Sequence, residues 1–218
     1  MKREILNTFN HIPFFTIEAV KQLYGIEDLS EGSIQTSLYR WMKAGHVIQL
    51  KKGTYMTRSF YEQHRADPDF SPAISAILIP QSYVSLEFVL QRHAILTEII
   101  YPVTAITTKH ARIIENKLGT FSYRNIKENL YSGFNFYEYL GIPFSLATMP
   151  KALFDYLYLR PLSREINSSK FNLAEDLRLN LDEVSEQDQF QFTEFVEISG
   201  SKKMIKILKR LRNTVWRH

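Results

Sequence analysis

The chain has 218 residues, 44% hydrophobic and 23% charged, with no cysteine and a formal net charge of +4. That length holds one large domain or two small ones, and the composition is that of an ordinary folded protein rather than a disordered or fibrous one. The lack of cysteine excludes disulfides, thiolate zinc sites, iron–sulfur clusters and cysteine nucleophiles together.

The charge is unevenly placed. Residues 1–60 carry +3, residues 61–200 carry −6 and residues 201–218 carry +7. Basic ends around an acidic middle suggest a polyanionic partner, because a positive surface concentrates phosphate, although a solvated helix gives the same count. The opening MKREILNTFNHIPFF has no uninterrupted apolar run and no small-residue cleavage site. No window of about 18 apolar residues occurs, so a cytoplasmic protein without membrane contact is expected.

In chain order, residues 2–10 read as a short helix stopping near His11-Ile12-Pro13. Thr16 is placed to cap a second helix, with Ile17, Val20 and Leu23-Tyr24 on its buried side and Gly25 to stop it. Ser30 can cap a third. At about 100° per residue, Ile34, Leu38, Trp41, Met42 and Gly45 share its inner side, while Ser33, Thr36, Tyr39, Arg40 and Lys43 lie opposite. HVIQL and GTYMT follow as two short strands joined by Lys51, Lys52 and Gly53.

Three short helices and a basic hairpin make a winged helix-turn-helix, whose third helix enters the major groove while the wing follows the phosphates. Arg40 and Lys43 have the reach for guanine acceptors or phosphates, Thr36, Tyr39 and Ser33 for shorter polar contacts, and Lys51 with Lys52 for backbone charge. The bland alternative is a small helical domain whose polar stripe is merely solvated.

RSFYEQHRADPDF reads as a connection, with a boundary around residues 58–70. SPAISAILI suits a helix ended by Pro80, residues 82–84 a strand, and Ser85 the cap of a helix to His93 with Leu86, Val89 and Leu90 inward. Strands are expected around 103–107, 112–114 and 120–123, the last two flanking the turn ENKLG. FNFYEYL and PFSLAT read as further strands before a helix over 150–159. The remainder is helical, interrupted near SREINSS and SEQDQF. In the closing SKKMIKILKRLRNTVWRH, Ile205, Leu208, Leu211 and Val215 line one side and Lys202, Lys203, Lys206, Lys209, Arg210 and Arg217 fall mostly opposite. Docking of this helix on the acidic middle is the preferred reading, contact with DNA the next and membrane association the last.

Catalytic constellations are scarce. The eight glycines assemble neither a phosphate-cradling loop nor a dinucleotide fingerprint, and there is no H-E-x-x-H or G-x-S-x-G. Gly32-Ser33 lacks the paired acids of a metal-dependent nucleotidyltransferase. Asp69, Glu115 and Lys117 are the residue types of a metal-dependent nuclease, a remote alternative because Glu115 and Lys117 sit in a turn. No catalytic residue, metal or cofactor is expected.

The KKGTY that ends the hairpin, SYVSLE at 82–87, ITTK at 106–109, GTFSYRNIK at 119–127 and ATMPKALFDYLYL at 147–159 carry, in that order and spacing, a resemblance. The chain resembles the AbiEi family, the antitoxin and regulator half of type IV toxin–antitoxin and phage-defence modules, over most of residues 10–160. In one departure, the family tends to have Pro then Glu ahead of the last motif's lysine, where this chain has Met149 and Pro150 before Lys151. The resemblance implies a repressor of its own operon that binds inverted repeats in double-stranded DNA. It also implies that the C-terminal domain counteracts a nucleotidyltransferase-like toxin without a stable complex. The expected class is α+β: an N-terminal winged helix-turn-helix over residues 1–60, and a mixed domain over 70–218 with a small sheet and packed helices. A ligand- or partner-responsive regulator without a toxin is the alternative.

Overall fold

The computed structural model describes residues 4–24, 30–98, 102–161, 172–182 and 184–216. The protein is mixed α+β. Gly25, Arg217 and the SREINSS segment lie outside the described residues.

The N-terminal part runs α1 (Glu4–Thr8), a 3-10 turn, β1 (Phe15–Thr16), α2 (Ile17–Tyr24), α3 (Glu31–Lys43), β2 (Val47–Lys51) and β3 (Thr54–Thr57). The expected caps form: Thr16 Oγ1 accepts from Ala19 N at 3.3 Å, and Ser30 Oγ accepts from Ser33 N at 3.3 Å. Each supplies an acceptor to an N–H that the first helical turn leaves without one. Ser30→Ala should therefore cost about 0.5–2 kcal/mol, read as a lowered urea midpoint with unchanged slope. The hairpin forms as expected, turning at Lys52-Gly53, where Gly53 adopts a φ of +78° that a side chain would resist. The sequence reading missed β1, which pairs antiparallel with β3 and completes a three-stranded sheet, order β1-β3-β2.

Both faces of that sheet are covered. Val47 and Tyr55 join a small core with Phe9, Phe15, Ile34, Leu38 and Trp41. Ile48, Leu50 and Met56 instead enter the main core of the protein. Neighbouring strand residues point to opposite faces, so an unbroken apolar pair such as Val47-Ile48 serves both cores. The stretch expected to be a connection contains α4 (Arg58–His64), capped by Thr57 and anchored by buried Phe60 in the main core.

The larger body contains α5 (Phe70–Leu78), β4 (Ser82–Val84), α6 (Leu86–Arg92), β5 (Val103–Thr107), β6 (Arg112–Asn116), β7 (Gly119–Asn125), β8 (Phe134–Tyr139), β9 (Ile142–Ala147) and α7 (Met149–Leu159). Six strands form one mixed sheet, order β6-β7-β5-β4-β9-β8. β4 lies parallel to β9 and β5 parallel to β7, while the hairpins β6-β7 and β8-β9 are antiparallel. α5 packs on β9, β4 and β5, and α6 on β5 and α7.

After a short α8 (Leu173–Asp176), α9 (Glu186–Ser199) and α10 (Lys202–Thr214) complete the chain. SEQDQF is no interruption: Ser185 Oγ accepts from Asp188 N, and the polar run is the exposed start of α9. α10 packs on α9 and α7, burying Met204, Ile207, Leu208 and Leu211. Its inner face is thus rotated from the expected one, with Ile205 54% exposed. Met204 makes the difference, since it starts the i, i+3, i+4, i+7 series that fits the groove. Lys203 turns inward too, its Nζ donating to the carbonyls of Tyr158 and Arg160 at the end of α7.

Candidate nucleic-acid interface

α3 presents its outer stripe as its period requires. Ile34, Leu38 and Trp41, four and then three residues apart, fix the inner face. Ser33, Thr36, Tyr39, Arg40 and Lys43 are all exposed on the other, as is Gln35 at its edge, a residue the sequence reading passed over although the helical period places it there. Some of these side chains are held. Ser33 Oγ shares a hydrogen with Ser30 Oγ at 3.0 Å, and Thr36 Oγ1 donates to Gly32 O at 2.8 Å, leaving the hydroxyl oxygen free to accept. The Lys43 ammonium lies 5.1 Å from the centre of the Tyr39 ring, a cation–π contact between neighbours one turn apart. Arg40 has no side-chain partner among the described residues, so its five N–H donors face solvent.

The hairpin lysines part company. Lys52, at the turn, is exposed beside the strands. Lys51 is half-buried and turned away: its Nζ donates to Ile77 O at 2.6 Å and Leu78 O at 3.3 Å, the closing carbonyls of α5. Burial lowers its pKa. The expectation that Lys51 lies with Lys52 on a phosphate-facing wing is corrected by this geometry, because an ammonium is drawn to the negative end of a helix where carbonyls lack partners.

A second polar centre lies inside the body. Lys151 and Asp155 sit one turn apart on α7, both wholly buried, with Lys151 Nζ 2.6 Å from Asp155 Oδ1. Asp155 Oδ2 accepts from Tyr83 Oη at 3.0 Å and from Ser85 Oγ at 2.8 Å. The rings of Phe154, Phe195 and Tyr83 stand 5.0, 5.3 and 5.7 Å from the ammonium. Burial raises the pKa of Asp155 and lowers that of Lys151, and each charge opposes the shift of the other. Ser85 is thereby withdrawn from the expected cap of α6 and makes no capping bond there. Every polar atom of this centre is engaged, and it has no face to solvent. It is a structural ion pair.

The nuclease residues are dispersed in role. Asp69 Oδ1 accepts from Arg92 at 2.9 Å, Glu115 lies on edge strand β6 opposite Thr120, and Lys117 lies in the turn beyond it. Among the described residues no group of three or more His, Cys, Asp or Glu is placed to hold a metal ion. No helix among them is long and apolar enough to cross a membrane. Compared with protein-family models and with curated proteins, the chain matches none.

Proposed function

We propose that the protein binds double-stranded DNA through a winged helix-turn-helix in which α3 is the recognition helix and the β2-β3 turn is the wing. The observation that carries this reading is the outer stripe of α3: an unpartnered guanidinium at Arg40 flanked by Tyr39, Lys43, Thr36, Ser33 and Gln35, with the Lys52 ammonium on the neighbouring hairpin. Arg40 is assigned to base edges, where its planar fork matches the two acceptors of guanine, and Lys52 to phosphate. Lys51 has no part in it. With the AbiEi resemblance, the proposed role is an autorepressor on inverted repeats upstream of its own operon, and an antitoxin that opposes a nucleotidyltransferase-like toxin.

A gel-shift titration on the upstream region, against random duplex of equal length at two salt concentrations, tests the DNA half. Preference for the upstream DNA should persist at the higher salt. Arg40→Ala should weaken that complex about ten- to hundredfold and flatten the preference, whereas Lys52→Ala should weaken all duplexes alike and reduce the salt slope by about one unit. Equal, salt-erased binding of both duplexes refutes base readout. The antitoxin half predicts that a nucleotidyltransferase-like toxin is encoded beside this gene and that co-expression of the protein restores growth of cells producing it; absence of such a gene, or unrestored growth, overturns it.

A further inference from the structure

Where the N-terminal sheet meets the body, an open cavity of about 470 Å³ is walled by Phe14, Ile77, Pro80, Phe136, Ile142 and Pro143. Its size falls within the range of small-molecule sites, which is roughly 300–1,000 Å³. Phe136, on edge strand β8, is 81% exposed, and Phe14, also lining the cavity, is partly so. Two aromatic rings facing water around an apolar recess are costly to leave uncovered, and planar hydrocarbon is what would cover them.

Among the described residues, the one charged group in that wall is Lys51. Its ammonium is held at the end of α5 by two carbonyl dipoles, and none of the described residues supplies a carboxylate to it. Two dipoles leave a third N–H and most of the unit charge without a counterpart, in a place already partly removed from water. An anionic group entering the cavity would supply that counterpart in a charge-assisted hydrogen bond. A single cation among apolar walls suits one carboxylate on a ring and not a polyphosphate, which needs several donors. Thr54 and Ser145 offer further hydroxyls along the same wall, whereas Ser82 Oγ already donates to Ile79 O at 2.6 Å.

We infer that this recess binds a small aromatic carboxylate, its carboxylate meeting Lys51 Nζ and its ring lying between Ile77, Pro143 and Phe136. The site is independent of the DNA reading, since it shares no residue with the outer stripe of α3.

Calorimetric titration of the full chain tests it with two probes, 2-naphthoate and the neutral naphthalene-2-carboxamide. One saturable site is expected, with the carboxylate bound at least about tenfold more tightly than the amide. Lys51→Met should remove that preference. Phe136→Ala, at a residue too exposed to matter for folding, should weaken both probes about fivefold or more. The inference is overturned by absence of saturable heat, by equal binding of acid and amide to the parent, by a preference that survives Lys51→Met, or by indifference to Phe136→Ala. Should Lys51→Met fail to fold, the acid–amide comparison and the Phe136 variant still decide.

Discussion

Asp155→Ala is expected to lower the free energy of unfolding by about 3–5 kcal/mol, because it strands the fully buried Lys151 ammonium with only aromatic faces around it. Lys151→Met should cost less. It leaves Asp155 with two hydroxyl donors, Tyr83 and Ser85, and with the option of taking up a proton. That option gives the variant a pH signature. Burial raises the pKa of Asp155, and Lys151 is the largest influence opposing the rise, so removing the lysine lets the folded-state value climb further above the ordinary 3.8. Between those two values the folded chain holds a proton that the unfolded chain has released. Its stability therefore falls as pH rises. The penalty of Lys151→Met should be smallest near the ordinary carboxyl value of 3.8 and grow as pH rises above it, read as urea midpoints relative to the parent protein. A loss for Asp155→Ala below about 1 kcal/mol, or a Lys151→Met penalty that shrinks with rising pH, would contradict the buried ion pair.

The second large effect is expected at Gly133, just outside that centre. Its φ is +77°, and a Cβ built there would stand 2.5 Å from the Phe195 ring and 3.0 Å from Lys151 Cγ. Gly133 O also accepts from Thr148 N at 2.9 Å, tying the start of α7 to the strand that follows Gly133. The glycine cannot easily shift without disturbing the helix that carries Lys151. Gly133→Ala thus combines a left-handed backbone, worth about 1–2 kcal/mol, with crowding of a packed ring, worth about 1–3 kcal/mol. Gly141 provides the control. Its φ is +78°, but a Cβ there meets nothing within 4 Å, so Gly141→Ala should show the backbone cost alone. Thermal or urea unfolding of the two variants side by side isolates the crowding, and equal losses would mean that Phe195 yields without resistance.

The exposed outer stripe of α3 was legible in the sequence because a helix's outer face is set by its own period: once Ile34, Leu38 and Trp41 are buried, Tyr39 and Arg40 have nowhere else to point. Lys51 was not legible, since its partners lie 26 and 27 residues away and no local pattern announces a helix end in its path. The same holds for Asp155, whose hydroxyl donors are 70 and 72 residues distant. A lysine and an aspartate four apart in the apolar run PKALFDYLYL were the available signal, for charges so placed must be buried as a pair or not at all. β1 escaped notice because two residues carry no period. α4 was hidden by the polar look of RSFYEQH, although Thr57 and Phe60 supply a cap and an anchor. In α10 the period was read correctly but the phase was not, because an amphipathic helix with an extra apolar residue, here Ile205, offers two faces and the groove selects one.

The small sheet behind α3 has no bare side. Its hairpin belongs to two cores at once, and Asn116 of β6 reaches across to donate to Leu50 O at 3.1 Å. Such a sheet serves as a shared wall rather than as a hinged door. Whatever displaces that wall from the body side bears on α3 as well, since Val47 and Tyr55 pack with Ile34, Leu38 and Trp41 on its other face. On the DNA reading proposed above, a duplex held by α3 would thereby constrain where the body stands.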